Sequence, residues 1–320
     1  MSAEANALAP PPPGSSPPAP SPGVWHDARA FSRLVKLGHT VFGLPFALAA
    51  AMLADRYAVA HGGEGLTWGR LCLLVLAFAG ARAAAMGWNR IADRRFDAAN
   101  PRTADREIPA GVISVRAAAL FTVLCAAVFV GAAVALGPVP AVLSVPCLVI
   151  VLAYSLFKRF SWASHLFLGL ALALAPGGAF VAITGGLSGW WIPVPLMLAV
   201  ATWVAGFDVL YSLADESFDR AHGLHSIPVR FGVRGALVIS ALLHVGTMAA
   251  LGALHVVAGP VTGLSWVHLC GLLLIATILV HEHWIVRPGD LRRLDKAFFD
   301  LNGYVALAYL AAVAVDVLVL

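Results

Sequence analysis

The sequence predicts an all-α polytopic membrane protein with nine transmembrane helices, and three observations carry that prediction. The 320 residues are 60% hydrophobic and only 12% charged, with a mean hydropathy of +0.85, whereas a soluble domain is about 45–50% apolar and about 25% charged. Apolar runs of about 20 residues recur along the chain, each long enough to cross a hydrocarbon core of roughly 30 Å as a helix. Turn-forming residues separate those runs, and the short alternating segments of a membrane barrel are absent from the sequence.

In chain order the spans are expected at residues 38–60, 68–90, 116–136, 141–157, 163–184, 193–212, 235–257, 266–286 and 298–320. Residues 1–29 precede them as a Pro-, Ala- and Ser-rich stretch with neither a basic start nor an apolar centre. That stretch reads as a disordered cytoplasmic tail and not as a signal peptide, which leaves 30–320 as the membrane domain. Trp68 opens the second span, and Gly137-Pro138-Val139-Pro140 divides the third from the fourth. Gly185-Gly186-Leu187-Ser188-Gly189 divides the fifth from the sixth, and Gly259-Pro260 closes the seventh. Trp68, Trp190, Trp191, Trp266 and Trp284 fall near span ends, where amphipathic rings favour the membrane interface.

Basic residues set the orientation. With the amino terminus inside, the inner segments collect Arg29, Arg33, Lys36, Lys158, Arg159, Arg220, Arg230, Arg234, Arg287, Arg292, Arg293, Lys296 and the Arg-rich block after the second span. Of 21 Lys and Arg, only Arg56 and Arg70 fall outside. The positive-inside rule therefore favours an amino end in the cytoplasm and a carboxyl end outside, as in a bacterial inner membrane. Loop bias accounts for the formal net charge of +4, so no nucleic-acid partner is called for, and nothing indicates an obligate protein partner. Cys72, Cys125, Cys147 and Cys270 show no CxxC spacing and are expected as small buried hydrophobes, with neither disulfide nor metal.

Against this oily background, Asn89 to Gly111 reads NRIADRRFDAANPRTADREIPAG. Asn89, Asp93 and Asp97 are spaced four apart, which stacks them on one helical face over about 12 Å. Arg82 lies two turns earlier on that face, deeper in the membrane. Ile91 to Asp97 (IADRRFD) is echoed by Leu213 to Asp219 (LADESFD), and each copy follows a span that ends on the cytoplasmic side. The chain thus reads as a degenerate repeat that opposes two carboxylate pairs across a bundle. Hard oxygen donors in this pattern suit Mg²⁺ shared with substrate phosphates, and four clustered carboxylates without a cation would repel one another. Arg102, Arg106 and Lys158 stand in adjoining loops, where they could clamp phosphate oxygens.

Each feature also has a plainer reading. A charged loop between spans can be a solvated, orientation-setting loop, Arg82 can snorkel to the interface, and Tyr154 and Tyr211 can be interfacial aromatics. Recurrence of the acidic pattern in equivalent places favours a metal and anion site. His39, His165, His222 and His225 have no metal-ligand spacing and are expected in interface or hydrogen-bonding roles.

The chain resembles the UbiA family of intramembrane prenyltransferases over roughly residues 30–320. The family's N-x-x-x-D-x-x-x-D signature matches Asn89, Asp93 and Asp97, followed by R-T-A-x-R-x-I-P-A-G at Arg102 to Gly111. Its Y-x-x-x-K signature matches Tyr154 and Lys158, and its second aspartate signature matches Asp208, Tyr211, Ser212, Asp215 and Asp219. One departure is His225, where many members carry Lys; with LGHTVFGLPFA at Leu37 to Ala47 it is similar to a bacterial 4-hydroxybenzoate prenyltransferase-like subgroup.

The resemblance implies a nine-helix bundle around a central cavity, with the aspartates facing its cytoplasmic mouth. It implies transfer of a polyprenyl group from polyprenyl diphosphate to a hydroxylated aromatic carboxylate in quinone biosynthesis. Mg²⁺ would be held by Asn89, Asp93, Asp97, Asp215 and Asp219, and the diphosphate by Arg102, Arg106 and Lys158. Tyr154 and Tyr211 would face the allylic cation. Asp208 would activate or orient the phenol, and Arg82 would meet the acceptor carboxylate or a phosphate oxygen, unless these two pair with each other. Other acceptors stay open: 1,4-dihydroxy-6-naphthoate on the way to menaquinone, a haem precursor, a chlorophyllide or a glyceryl phosphate. So does a secondary transporter using carboxylates for cations.

Overall fold

Helix ends fall where the backbone finds a cap, a proline or a left-handed glycine. The computed structural model describes Phe31, Leu34, residues 40–287, Arg293, Leu294 and residues 297–319. The expected tail, residues 1–29, lies outside the described residues, as do Arg33, Lys36, His39, Arg292 and Lys296. Among the described residues nine helices are long and apolar enough to cross a membrane. Their α-helices are α1 Thr40–Ala60, α2 Trp68–Ala99, α3 Val115–Leu136, α4 Pro138–Phe157, α5 Ser164–Thr184, α6 Pro193–Tyr211, α7 Ile227–Thr262, α8 Trp266–Ile285 and α9 Asn302–Leu318, the last reaching spanning length with the π-helical turn Ala297–Leu301 before it.

Local chemistry explains the boundaries. Ser114 Oγ accepts the Ala117 N–H at 3.1 Å and starts α3. Pro138 and Pro193 stand at the first turns of α4 and α6, where a missing N–H costs nothing. Gly185 ends α5 at φ +73, a conformation that disfavours a Cβ. The expected stop at Gly259-Pro260 is corrected: both residues lie inside α7, which ends at Gly263 with φ +81. Proline in a last turn forfeits one backbone bond without changing the helical φ, so the left-handed glycine three residues on is the actual terminator. A short turn from Ile227, capped by Ser226, precedes a break at Gly232 with φ +69, and the long segment follows it, close to the expected start at residue 235.

Helix α2 has 32 residues, or about 48 Å at 1.5 Å per residue, and so outruns a hydrocarbon core of about 30 Å by several turns. Those extra turns carry Asn89, Asp93 and Asp97.

The tightest packing surrounds α1 and α6. Phe46 stacks on Tyr309 with ring centroids 4.9 Å apart and meets Trp203 at 5.0 Å. Trp203 is fully buried and donates its indole N–H to Asn302 Oδ1 at 2.7 Å, while Asn302 Nδ2 donates to Glu282 Oε1 at 2.8 Å. This buried polar chain ties α6, α8 and α9 together behind the site. Large apolar side chains such as Val142, Leu242, Leu273 and Val280 stay exposed on outer faces, as an apolar solvent allows. Cys72 and Cys270 are likewise exposed, contrary to the expectation of burial, because a lipid-facing thiol needs no protein cover. Trp68, Trp190, Trp191, Trp266 and Trp284 are all exposed near helix ends.

Helices α5 and α6 approach closely at Gly169, where an added Cβ would run into the Ala201 backbone carbonyl of α6. Gly169→Ala should therefore cost about 1–3 kcal/mol, the usual range for overpacking, read as a lowered melting temperature of the detergent-solubilised protein. An unchanged melting temperature would contradict this close approach.

Candidate functional site

The ends of α2, α4 and α6 and the starts of α5 and α7 meet at one end of the bundle, around a polar cavity of about 260 Å³. Every side chain singled out from the sequence lines it except Arg82: Asn89, Asp93, Asp97, Arg102, Arg106, Tyr154, Lys158, Asp208, Tyr211, Asp215 and Asp219. Arg82 instead lines an adjoining apolar chamber of about 420 Å³ enclosed by α1 to α6. Tyr154 and Leu168 belong to both walls, so they mark the junction between the polar and apolar spaces.

The two acidic motifs reach this cavity by different backbones. The first stays α-helical through Asp97, and the chain then turns at Asn100, whose N–H bonds Phe96 O at 3.0 Å. The second does not continue α6. A 3-10 turn, Ser212–Asp215, and a short helix, Glu216–Ala221, carry Asp215 and Asp219. Seven-residue spacing would put Asp208 and Asp215 on one face of a continuous helix, but α6 ends at Tyr211, and the tighter turn swings Asp215 back toward the same cavity.

Within the cavity each acid has a partner. Arg102 donates Nε to Asp215 Oδ1 at 3.0 Å, bonds Asp215 Oδ2 through Nη2, and donates Nη1 to Tyr211 Oη at 2.9 Å. Arg106 Nη1 meets Asp97 Oδ1 at 2.6 Å, and Lys158 Nζ meets Asp219 Oδ1 at 2.8 Å. Arg159 Nη2 lies 3.5 Å from Asp93 Oδ1, and Asn89 Nδ2 donates to Asp93 Oδ2 at 2.9 Å. His165 Nδ1 contacts Asp208 Oδ2 at 2.6 Å. The alternative pairing of Arg82 with Asp208 is therefore replaced by a His165 partner. Arg82 Nε is buried and finds no hydrogen-bond partner.

Burial works against the Arg102 charge, yet its bonds to Asp215 and Tyr211 outweigh it and hold the guanidinium above the ordinary arginine range. Tyr211 is itself fixed by stacking on Phe298 at 4.0 Å.

Sequence reasoning passed over two residues at this site and the partner of a third, His165, whose expected hydrogen-bonding role the structure shows. Arg159 follows Lys158 directly and was counted only toward orientation; its Nη2 also donates to the Ala92 carbonyl at 2.7 Å. Asn100 Nδ2 reaches Asp215 Oδ1 at 3.3 Å while its Oδ1 accepts the Arg102 N–H at 2.9 Å, and the Asn-Pro dipeptide signalled no more than a turn. His165 sits in the first turn of α5, far in sequence from Asp208, and no spacing rule connects them.

Five acids (Asp93, Asp97, Asp208, Asp215, Asp219) and four bases (Arg102, Arg106, Lys158, Arg159) line the cavity. Among the described residues no three His, Cys, Asp or Glu side chains are grouped closely enough to hold one ion. The donor set nonetheless fits a hard divalent cation. It consists of carboxylate and amide oxygens, and Asp97 Oδ2 is buried without a hydrogen-bond partner.

Comparison with known proteins agrees with the fold. The profile of the UbiA prenyltransferase family matches residues 42–304. A 4-hydroxybenzoate octaprenyltransferase of Aliivibrio fischeri is 28% identical over 296 residues, covering 91% of this chain and 98% of that protein. A solved apo structure of a UbiA homolog from Aeropyrum pernix K1 is 34% identical, with a TM-score of 0.77 over 88% of this chain and 98% of its own. A UbiA homolog from Archaeoglobus fulgidus, solved bound to DMAPP and Mg²⁺, shares the fold at 20% identity and a TM-score of 0.67, covering 91% of this chain and 100% of its own.

Because Asp219 is almost fully buried against Lys158, Lys158→Met should lower the melting temperature in the presence of a chelator. Adding Asp219→Asn should recover part of the loss, with a coupling of about 0.5–3 kcal/mol in a double-mutant cycle. Strict additivity would mean that the two side chains do not form a pair.

Proposed function

The chain belongs to the UbiA prenyltransferase family and is an integral membrane protein, and from that premise we propose that it transfers a polyprenyl group from polyprenyl diphosphate to 4-hydroxybenzoate or a close hydroxylated aromatic carboxylate. The single observation that carries this reading is the junction at Tyr154, where a polar cavity holding both acidic motifs adjoins an apolar chamber. A diphosphate headgroup fits the first space and a prenyl chain the second. The name of the Aliivibrio relative supports the aromatic acid as acceptor.

Five carboxylates line the cavity that would receive the diphosphate, so donor binding calls for added divalent cations. Asn89, Asp93, Asp97, Asp215 and Asp219 would hold Mg²⁺, a choice supported by the buried, unpartnered Asp97 Oδ2 and by the Mg²⁺ of the Archaeoglobus homolog. Magnesium, when bound, neutralises the diphosphate and makes it a better leaving group. The chain's own cations complete the task. Arg102, Arg106 and Lys158, each paired with an acid in this structure, would bind phosphate oxygens and stabilise charge on the leaving diphosphate.

Cleavage of the allylic C–O bond leaves a cation beside Tyr154, whose ring stands at the junction and offers π-density while the apolar walls exclude water. Arg82, half-buried on the chamber wall with its Nε unpartnered, holds the acceptor carboxylate. Asp208 accepts the hydrogen bond of the phenol and directs the ortho carbon onto the cation. The new C–C bond forms, the ring proton leaves with the diphosphate, and aromaticity returns. With the positive-inside orientation, the polar cavity faces the cytoplasm and the chamber the bilayer interior.

Asp93→Asn combined with Asp215→Asn should abolish Mg²⁺-dependent product formation in purified protein, followed by mass spectrometry of the prenylated acid; normal turnover would refute the metal assignment. Offering 4-hydroxybenzoate and 1,4-dihydroxy-6-naphthoate in competition should give mainly prenylated hydroxybenzoate, and a naphthoate product would reassign the acceptor.

A further inference from the structure

One imidazole clasps three helices beside the cavity. His165, 3% exposed in the first turn of α5, contacts Asp208 Oδ2 of α6 through Nδ1 at 2.6 Å. Its Nε2 lies 3.3 Å from the backbone N of Ile227, the first residue of α7. An amide N–H can only donate, so Nε2 is the unprotonated nitrogen and the ring hydrogen sits on Nδ1. His165 is thus a neutral imidazole that donates to the Asp208 carboxylate and accepts one of the orphan N–H groups at the start of α7.

Two further contacts hold this clasp in place. Gly169, one turn along α5, permits the close approach of α5 to α6, and the His225 N–H bonds Lys158 O at 2.8 Å, which anchors the loop leading into α7. Asp208 lines the polar cavity with Oδ2 engaged by the ring. Oδ1 is then the oxygen offered to a substrate.

We propose that His165 is a positioning residue for the aromatic acceptor: by donating Nδ1–H to Asp208 it fixes the rotamer of that carboxylate and aims its second oxygen at the acceptor hydroxyl. This inference rests on the reading of the chain as an aromatic prenyltransferase. It gives α5 and α6 control of the acceptor hydroxyl, apart from the diphosphate held by the two acidic motifs.

The test uses purified full-length protein with geranyl diphosphate, 4-hydroxybenzoate and Mg²⁺. His165→Ala removes both contacts and should raise the acceptor KM about tenfold, the loss typical of a charge-assisted hydrogen bond, while the KM for the diphosphate stays within about twofold. His165→Asn keeps an N–H near the Nδ1 position but cannot reach Ile227. It should restore the acceptor KM yet melt as low as the alanine variant, which separates positioning from the structural clasp. Nitrogen-15 spectra of histidine-labelled protein, assigned by loss of one signal in His165→Ala, should show a neutral Nδ1–H tautomer. Equal effects on both KM values, failure of asparagine to rescue, or an Nε2–H tautomer would each overturn the proposal. If wild-type protein prenylates no aromatic acid, the prenyltransferase reading fails and takes this one with it; active wild type with an unimpaired alanine variant sinks the His165 role alone.

Discussion

Charge compensation at the edge of an apolar medium governs the architecture at this end of the bundle. Hydrocarbon supplies no water to stabilise an ion, so acidic side chains persist near it only where cations or hydrogen-bond donors stand against them. Arg102, Arg106, Lys158 and Arg159 meet Asp215, Asp97, Asp219 and Asp93 in turn, and His165 meets Asp208. These pairs bridge segments that would otherwise diverge. The loop after α2 reaches the 3-10 turn after α6 through Arg102 and Asn100, and the end of α4 reaches the short helix through Lys158.

On the reading proposed above, the same compensation would suit ligand exchange: a carboxylate paired with a flexible Arg or Lys would trade that partner for a metal ion, and the freed cation would bind phosphate, with no bare charge exposed. The cavity is half-enclosed, which strengthens each interaction beyond its worth in water, yet its bases retain enough exposure to reorient.

Rigidity comes from the opposite side of α6. Trp203, Asn302 and Glu282 form a buried hydrogen-bonded chain, and Phe46 with Tyr309 packs against it. Helix α6 is therefore held from behind by the Trp203–Asn302–Glu282 hydrogen bonds and aromatic packing, and presents Asp208 and Tyr211 forward on a fixed support. Such backing matters to group transfer because small displacements of the acceptor relative to the allylic carbon carry a large cost in rate.

Local patterns in the sequence determined the nine spans, the helical phase of Asn89, Asp93 and Asp97, and the matching placement of Asp215 and Asp219, because span length, turn chemistry and i, i+4 spacing act over a few residues. Tertiary structure alone decided who pairs with whom. Nothing near His165 in the chain points to Asp208, forty-three residues away, and only the close packing of α5 on α6 joins them. Arg82 shares the helical phase of Asn89 yet faces the apolar chamber, since its depth along α2 and not its phase selects the wall it joins. The 3-10 turn at Ser212–Asp215 was equally hidden: its sequence allows continued helix, and the ion pairs across the cavity favour the tighter path.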